Sequence, residues 1–172
     1  MRFLSGEALR LRVAAVYDNF ESARQDILEA GNCLAAECCT GAVFHLMRAA
    51  EVARRVFGAD RQVTFPKGTI DSKQWGEIIG QLEKAVVKLG QDDSTNWPSD
   101  AIRQSQIRFC NWALIEFRAF NDAWRRHISH AHEGATYDRD QAMSVLQHTK
   151  AFMVKLASRL SEHSTGPKYW TI

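Results

Sequence analysis

Proline is scarce, and Pro66, Pro98 and Pro167 are the three in 172 residues. None interrupts a periodic apolar stretch, so long helices are permitted. No apolar run reaches the roughly 20 residues of a membrane span. Arg2, Glu7, Arg10 and Arg12 interrupt the opening segment, which excludes a signal peptide and predicts a cytoplasmic protein without membrane attachment. A formal net charge of +2 excludes nucleic-acid binding by bulk charge, so any such role must rest on local clustering. Four cysteines, Cys33, Cys38, Cys39 and Cys110, fit no zinc spacing, and adjacent Cys38 and Cys39 pair poorly with each other. They read as free buried thiols.

What remains is periodic. Residues 1–162 read as one domain and 163–172 as a tail. Five helices are predicted. The first spans about Glu7–Ala30, with a kink allowed, and the second Thr40–Phe57. Val63–Gly68 reads as a loop or short hairpin. A third helix starts near Asp71, with Gln74 as its capping-box partner, and stops at Gly90. A fourth starts after Pro98 with Ser99 as N-cap and ends at Gly134. A fifth starts at Asp138, with Gln141 as its capping-box partner. One apolar stripe per helix and short connections give an all-α, up-and-down bundle of about five helices.

The fourth helix carries the chemistry. Phe109, Ala113, Phe117, Phe120, Trp124 and Ile128 fall within one arc at about 100° per residue and should face the core. Arg118, Arg125, Arg126, His127, His130 and His132 crowd the remaining surface, and no lysine occurs between Arg103 and Arg139. A solvated face would use Lys and Glu; arginine forks grip phosphate, and histidine titrates near neutrality. The pair suits cleavage of an RNA phosphodiester, histidine moving a proton and arginine holding the charged phosphorane. A solvated ladder, with Asp122 four residues from both Arg118 and Arg126, is the competing reading. The histidines do not share a face, and no metal or other cofactor is expected.

The run Ala123-Trp124-Arg125-Arg126-His127-Ile128-Ser129-His130 resembles the signature of HEPN domains. That signature is an arginine, a polar residue, and a histidine after a gap of four to six positions. Ala42–Glu51 resembles the second helix of bacterial HEPN-like proteins, and Tyr137-Asp138…Ala142…Phe152-Met153…Leu156 the closing pattern. The resemblance spans about Val16 to Leu160. It implies a bundle of four or five helices, often dimeric. Many members are metal-independent ribonucleases in toxin–antitoxin, phage-defence or RNA-processing systems; others are inactive binding modules. By resemblance, Arg125 and His130 are catalytic. The position after the motif arginine is usually Asn, Asp or His, and here it is Arg126. Arg126, Arg118, His132, His45 and Arg48 are the accessory or RNA-binding candidates. His45 and Arg48 also read as a surface ion-pair ladder with Glu51 and Arg55.

Arg125 and His130 stand about 140° apart on an ideal helix, so they meet only if the helix distorts or two copies pair. Trp112, outside the core arc, is the expected anchor of a homodimer, unless another helix of the same chain covers it. RNA and an antitoxin or regulatory protein are the other expected partners.

Overall fold

The computed structural model describes residues 14–91, 97–125 and 136–163, with the backbone alone at residue 125. Over these residues the chain is an all-α bundle. Six α-helices form: α1 (Ala14–Asn19), α2 (Arg24–Ala35), α3 (Cys39–Asp60), α4 (Trp75–Gln91), α5 (Asp100–Phe120) and α6 (Arg139–Ala157). Among the described residues there is no strand, so Val63–Gly68 is not a hairpin. No helix of the described residues is long and apolar enough to cross a membrane.

The expected first helix breaks in two. Phe20 leaves the helical region at φ −126° and ψ 74°, and a 3₁₀ turn, Glu21–Ala23, leads into α2. The break lets Phe20 reach the core, where it is fully buried. Glu162, beyond α6, ties it down. Its carboxylate accepts from the Ser22 N–H at 2.9 Å and the Ser22 hydroxyl at 2.7 Å, and its own N–H donates to the Asn19 carbonyl at 2.9 Å.

Helix ends follow local chemistry, with one correction. The Ser99 side chain accepts from the Ile102 N–H and starts α5. Asp138 and Gln141 form the expected reciprocal capping box of α6. Asp71 and Gln74 do not form one. Asp71 lies in a 3₁₀ turn, Ile70–Ser72, and its carboxylate is taken by Arg55 of α3 at 3.0 Å. The helix starts at Trp75 instead, and the Gln74 N–H donates to Glu77 Oε2 at 3.2 Å.

α3 is the central rod, packed against α2 and α6, while α4 packs against α5. Phe117, fully buried, joins these layers. Its ring stacks on Phe57 of α3 at 5.9 Å and meets Trp75 of α4 and Phe152 of α6 edge-on at 6.4 and 5.0 Å. Such offset and edge-to-face aromatic pairs add to the burial itself. Arg54 lies buried over the Trp75 ring at 4.6 Å.

Trp112 is covered within the chain. Its ring packs 5.5 Å from Phe152 of α6, and Lys155 Nζ sits 3.7 Å above it. The alternative in which the last helix shelters it therefore holds, and Trp112 is no free interface anchor.

Candidate functional site

The helix that leads into the Arg/His segment changes its winding where that segment begins. α5 ends at Phe120, and Asn121–Arg125 form a π-helical turn. A π-turn widens the helix and rotates every residue after it relative to an ideal α-helix. The expected arc holds as far as it can be followed. Phe109, Ala113, Phe117 and Phe120 are buried, and Trp124 is packed against the core. Arg126, His127, Ile128, His130, His132 and Gly134 lie outside the described residues, as does the Arg125 side chain.

Beside the π-turn stands a group that sequence reasoning missed. His148 of α6 places Nε2 2.6 Å from Glu116 Oε2 on α5. Its ring meets Phe120 at 5.2 Å and Trp124, the residue before Arg125, at 5.1 Å. The cluster forms because α6 lays His148 over the last turn of α5. Nothing in the linear pattern of α6 singles out His148, because its partner Glu116 is thirty-two residues away.

The second cluster is on α3. Asp26 of α2, buried, accepts from Arg48 Nε at 2.8 Å and faces His45 Nδ1 at 2.8 Å. An ionised carboxylate only accepts, so at this contact His45 Nδ1 is the donor. Arg48 keeps its side chain 55% exposed, with its terminal nitrogens unpartnered among the described residues. Phe44, exposed, lies edge-on to the His45 ring at 5.4 Å and under the Arg48 guanidinium at 5.8 Å. The ion-pair ladder with Glu51 and Arg55 does not form. Glu51 accepts from Trp75 Nε1 at 2.7 Å, and Arg55 is drawn to Asp71.

α3 touches the described residues on both sides of the Arg/His segment. It packs against the π-turn, and its Thr40 hydroxyl accepts the Tyr137 N–H at 3.0 Å where the chain is next described. Arg118 is paired within the chain. Glu83 of α4 holds it through both Nε, at 2.9 Å, and Nη2, rather than Asp122, because α4 lies beside this flank of α5. Asp122 accepts from Asn121 Nδ2 at 2.9 Å.

Three thiols also differ from expectation. Cys110 is buried, but Cys33 and Cys39 are half-buried and Cys38 is exposed. Burial raises the Cys110 thiol above its ordinary range, outweighing the opposing Arg61 charge. Among the described residues no three His, Cys, Asp or Glu side chains converge as a metal set. No protein-family model, curated protein or solved structure matches the chain.

Proposed function

We propose that this protein is a HEPN-type, metal-independent endoribonuclease with a toxin or phage-defence role, in which Arg125 binds the scissile phosphate and His130 is the general acid/base. The observation that carries the reading is the π-turn over Asn121–Arg125, placed where the Arg/His segment begins. On an ideal helix the two motif residues diverge by about 140°. The π-turn precedes the pair and does not close that angle, so pairing of two copies has to bring the groups together; the turn supports the reading because π-turns recur at functional sites.

The chemistry needs no electron transfer. A 2′-hydroxyl attacks the adjacent phosphorus, the bond to the 5′-oxygen breaks, and a 2′,3′-cyclic phosphate remains. Histidine moves the proton between these oxygens, and Arg125, with Arg126, neutralises the phosphorane. His45 and Arg48, oriented by Asp26, and His132 form the accessory wall. Arg118, half-exposed and paired with Glu83, would have to exchange that partner for a phosphate to join them. The working unit is a homodimer paired along α5.

The test is cleavage of a single-stranded RNA by purified protein. His130→Ala should lower the rate about two to four orders of magnitude with helicity retained. EDTA should leave the wild-type rate unchanged, and a 2′-deoxy substitution at the scissile nucleotide should block cleavage. A His130→Ala protein as fast as wild type overturns the assignment.

Arg126, at a position usually Asn, Asp or His, favours a second reading: a non-catalytic HEPN-like module that binds RNA, nucleotide or a partner protein. Wild-type protein that binds the RNA and leaves it intact selects that reading.

A further inference from the structure

The turn between α2 and α3 closes as a Schellman motif. The Cys38 N–H donates to the Cys33 carbonyl at 2.8 Å and the Glu37 N–H to the Leu34 carbonyl at 3.3 Å. Glu37, between them, takes the left-handed conformation at φ +60°. This motif brings the side chain just past the turn onto the side chain three positions before the helix cap. Here those side chains are Cys38 and Cys33. Both border one spot on α3: a Cβ added to Gly41 would lie 3.2 Å from Cys33 Sγ and 3.9 Å from Cys38 Cβ. The backbone hydrogen bond between the two residues draws their Cα atoms together, as a disulfide requires.

We propose that Cys33 and Cys38 are an oxidative modification site, a dithiol that a peroxide-class oxidant converts to an intramolecular disulfide across the α2–α3 turn. The two thiols have different surroundings and different roles. Cys38 is exposed and meets the oxidant. Cys33 is half-buried, and burial, with the Cys38 and Glu29 charges nearby, raises its thiol above the ordinary value. It is the resolving partner.

The Cys38 thiolate attacks one peroxide oxygen, the O–O bond breaks, and the released hydroxide takes a proton to become water. Cys38 is now a sulfenic acid. The Cys33 thiolate attacks that sulfur, the S–S bond forms and the S–O bond breaks. The departing hydroxide takes up the proton Cys33 released, giving a second water. One peroxide is reduced and two thiols are oxidised. Adjacent Cys39 is poorly placed to bridge Cys38, and Cys110 is buried on α5. The bridge would staple α2, which carries Asp26, to α3, which carries His45 and Arg48. The proposal is independent of any RNA chemistry.

The experiment treats the full chain with hydrogen peroxide and quenches with an alkylating agent. Free thiols should fall from four to two, and without alkylation the intact monomer should be about 2 Da lighter than the reduced protein. Cleavage after Glu37 separates Cys33 from Cys38 and Cys39, and the two fragments should stay joined until reduced. Cys39→Ser should still form the bridge, whereas Cys33→Ser and Cys38→Ser, checked for native helicity, should not. A bridge that survives in Cys38→Ser, a purely intermolecular product, or sulfinic acid without any bridge overturns the proposal.

Discussion

His45 Nδ1 lies 2.8 Å from Asp26 Oδ1, and the carboxylate that receives it is buried between α2 and α3. Arg48 Nε shares the same oxygen at 2.8 Å. One buried acceptor thus orients an imidazole and a guanidinium, each partly exposed. Asp26→Asn removes the charge that both partners address. Hydrogen bonds to charged groups contribute about 1.5–3 kcal/mol each, and the exposure of Arg48 places its share at the low end. Urea unfolding should therefore show Asp26→Asn destabilised by about 1–3 kcal/mol. A loss indistinguishable from zero would mean the carboxylate carries no net stabilisation.

Arg48 also bears on binding. Its terminal nitrogens face outward beside Phe44, an arrangement suited to a phosphate with a base stacked nearby. Arg48→Ala should weaken binding of single-stranded RNA and reduce the slope of log affinity against log salt by about 0.7, the value for one lost phosphate contact. An unchanged slope would remove Arg48 from the binding surface.

Much of the fold was legible because helix signals are local. Ser99 and the Asp138–Gln141 box act over three residues, and the Phe109–Trp124 arc follows from helical spacing. The failures were tertiary. Asp71 is captured by Arg55, sixteen residues away, so its capping box does not form. Trp112 looked unpartnered because its cover, Phe152 and Lys155, belongs to α6. The same limit hid the site's supports. Asp26 is nineteen residues from His45, and Glu116 is thirty-two from His148. No periodicity links those positions; only the packing of α2 on α3 and α6 over α5 does.

The pH dependence should expose Asp60. Its carboxyl and the Arg61 guanidinium are both buried, with Arg61 Nη2 2.7 Å from Asp60 Oδ2. Burial raises the Asp60 carboxyl above its ordinary 3.8, although the Arg61 charge and hydrogen bond pull the other way. A carboxyl raised on folding favours the native state while it is protonated, and that contribution is lost as pH rises through the folded value. Asp60→Asn keeps an oxygen for Arg61 and cannot ionise. Its stability relative to wild type should therefore improve as pH rises from below 3.8 through the raised folded value. Thermal unfolding of both proteins across that range checks the sign, and a difference that moves the other way contradicts the burial argument.

The end of α3 offers a separate test of backbone strain. The Val63 N–H donates to the Gly58 carbonyl at 2.9 Å and the Gln62 N–H to the Ala59 carbonyl at 3.0 Å, with Gln62 at φ +53°. A left-handed non-glycine residue costs about 1–2 kcal/mol, and glycine's larger unfolded-state entropy offsets part of that gain. Gln62→Gly should stabilise the protein by about 0.5–1 kcal/mol in urea unfolding.

The last prediction concerns the dimer. With Trp112 packed on α6, the large apolar side chain that α5 leaves exposed among the described residues is Ile115, 63% exposed, which shares a groove with Val87 of α4, 59% exposed. Arg118 and Glu83 form one end of that groove, one turn beyond Ile115 and one turn before Val87. The groove runs between α4 and α5, and α5 continues into the π-turn that carries Arg125, so a second copy seated there would pair the two α5 helices. An apolar centre edged by arginine is the composition of an interface core with its rim. Sedimentation at micromolar concentration should show a dimer that Ile115→Asp converts to monomer, because a carboxylate in that position would be buried without a partner. If Ile115→Asp stays dimeric, the contact lies elsewhere. If wild-type protein sediments as a monomer while still cleaving RNA, Arg125 and His130 must meet within one chain, and the composite cleft is ruled out.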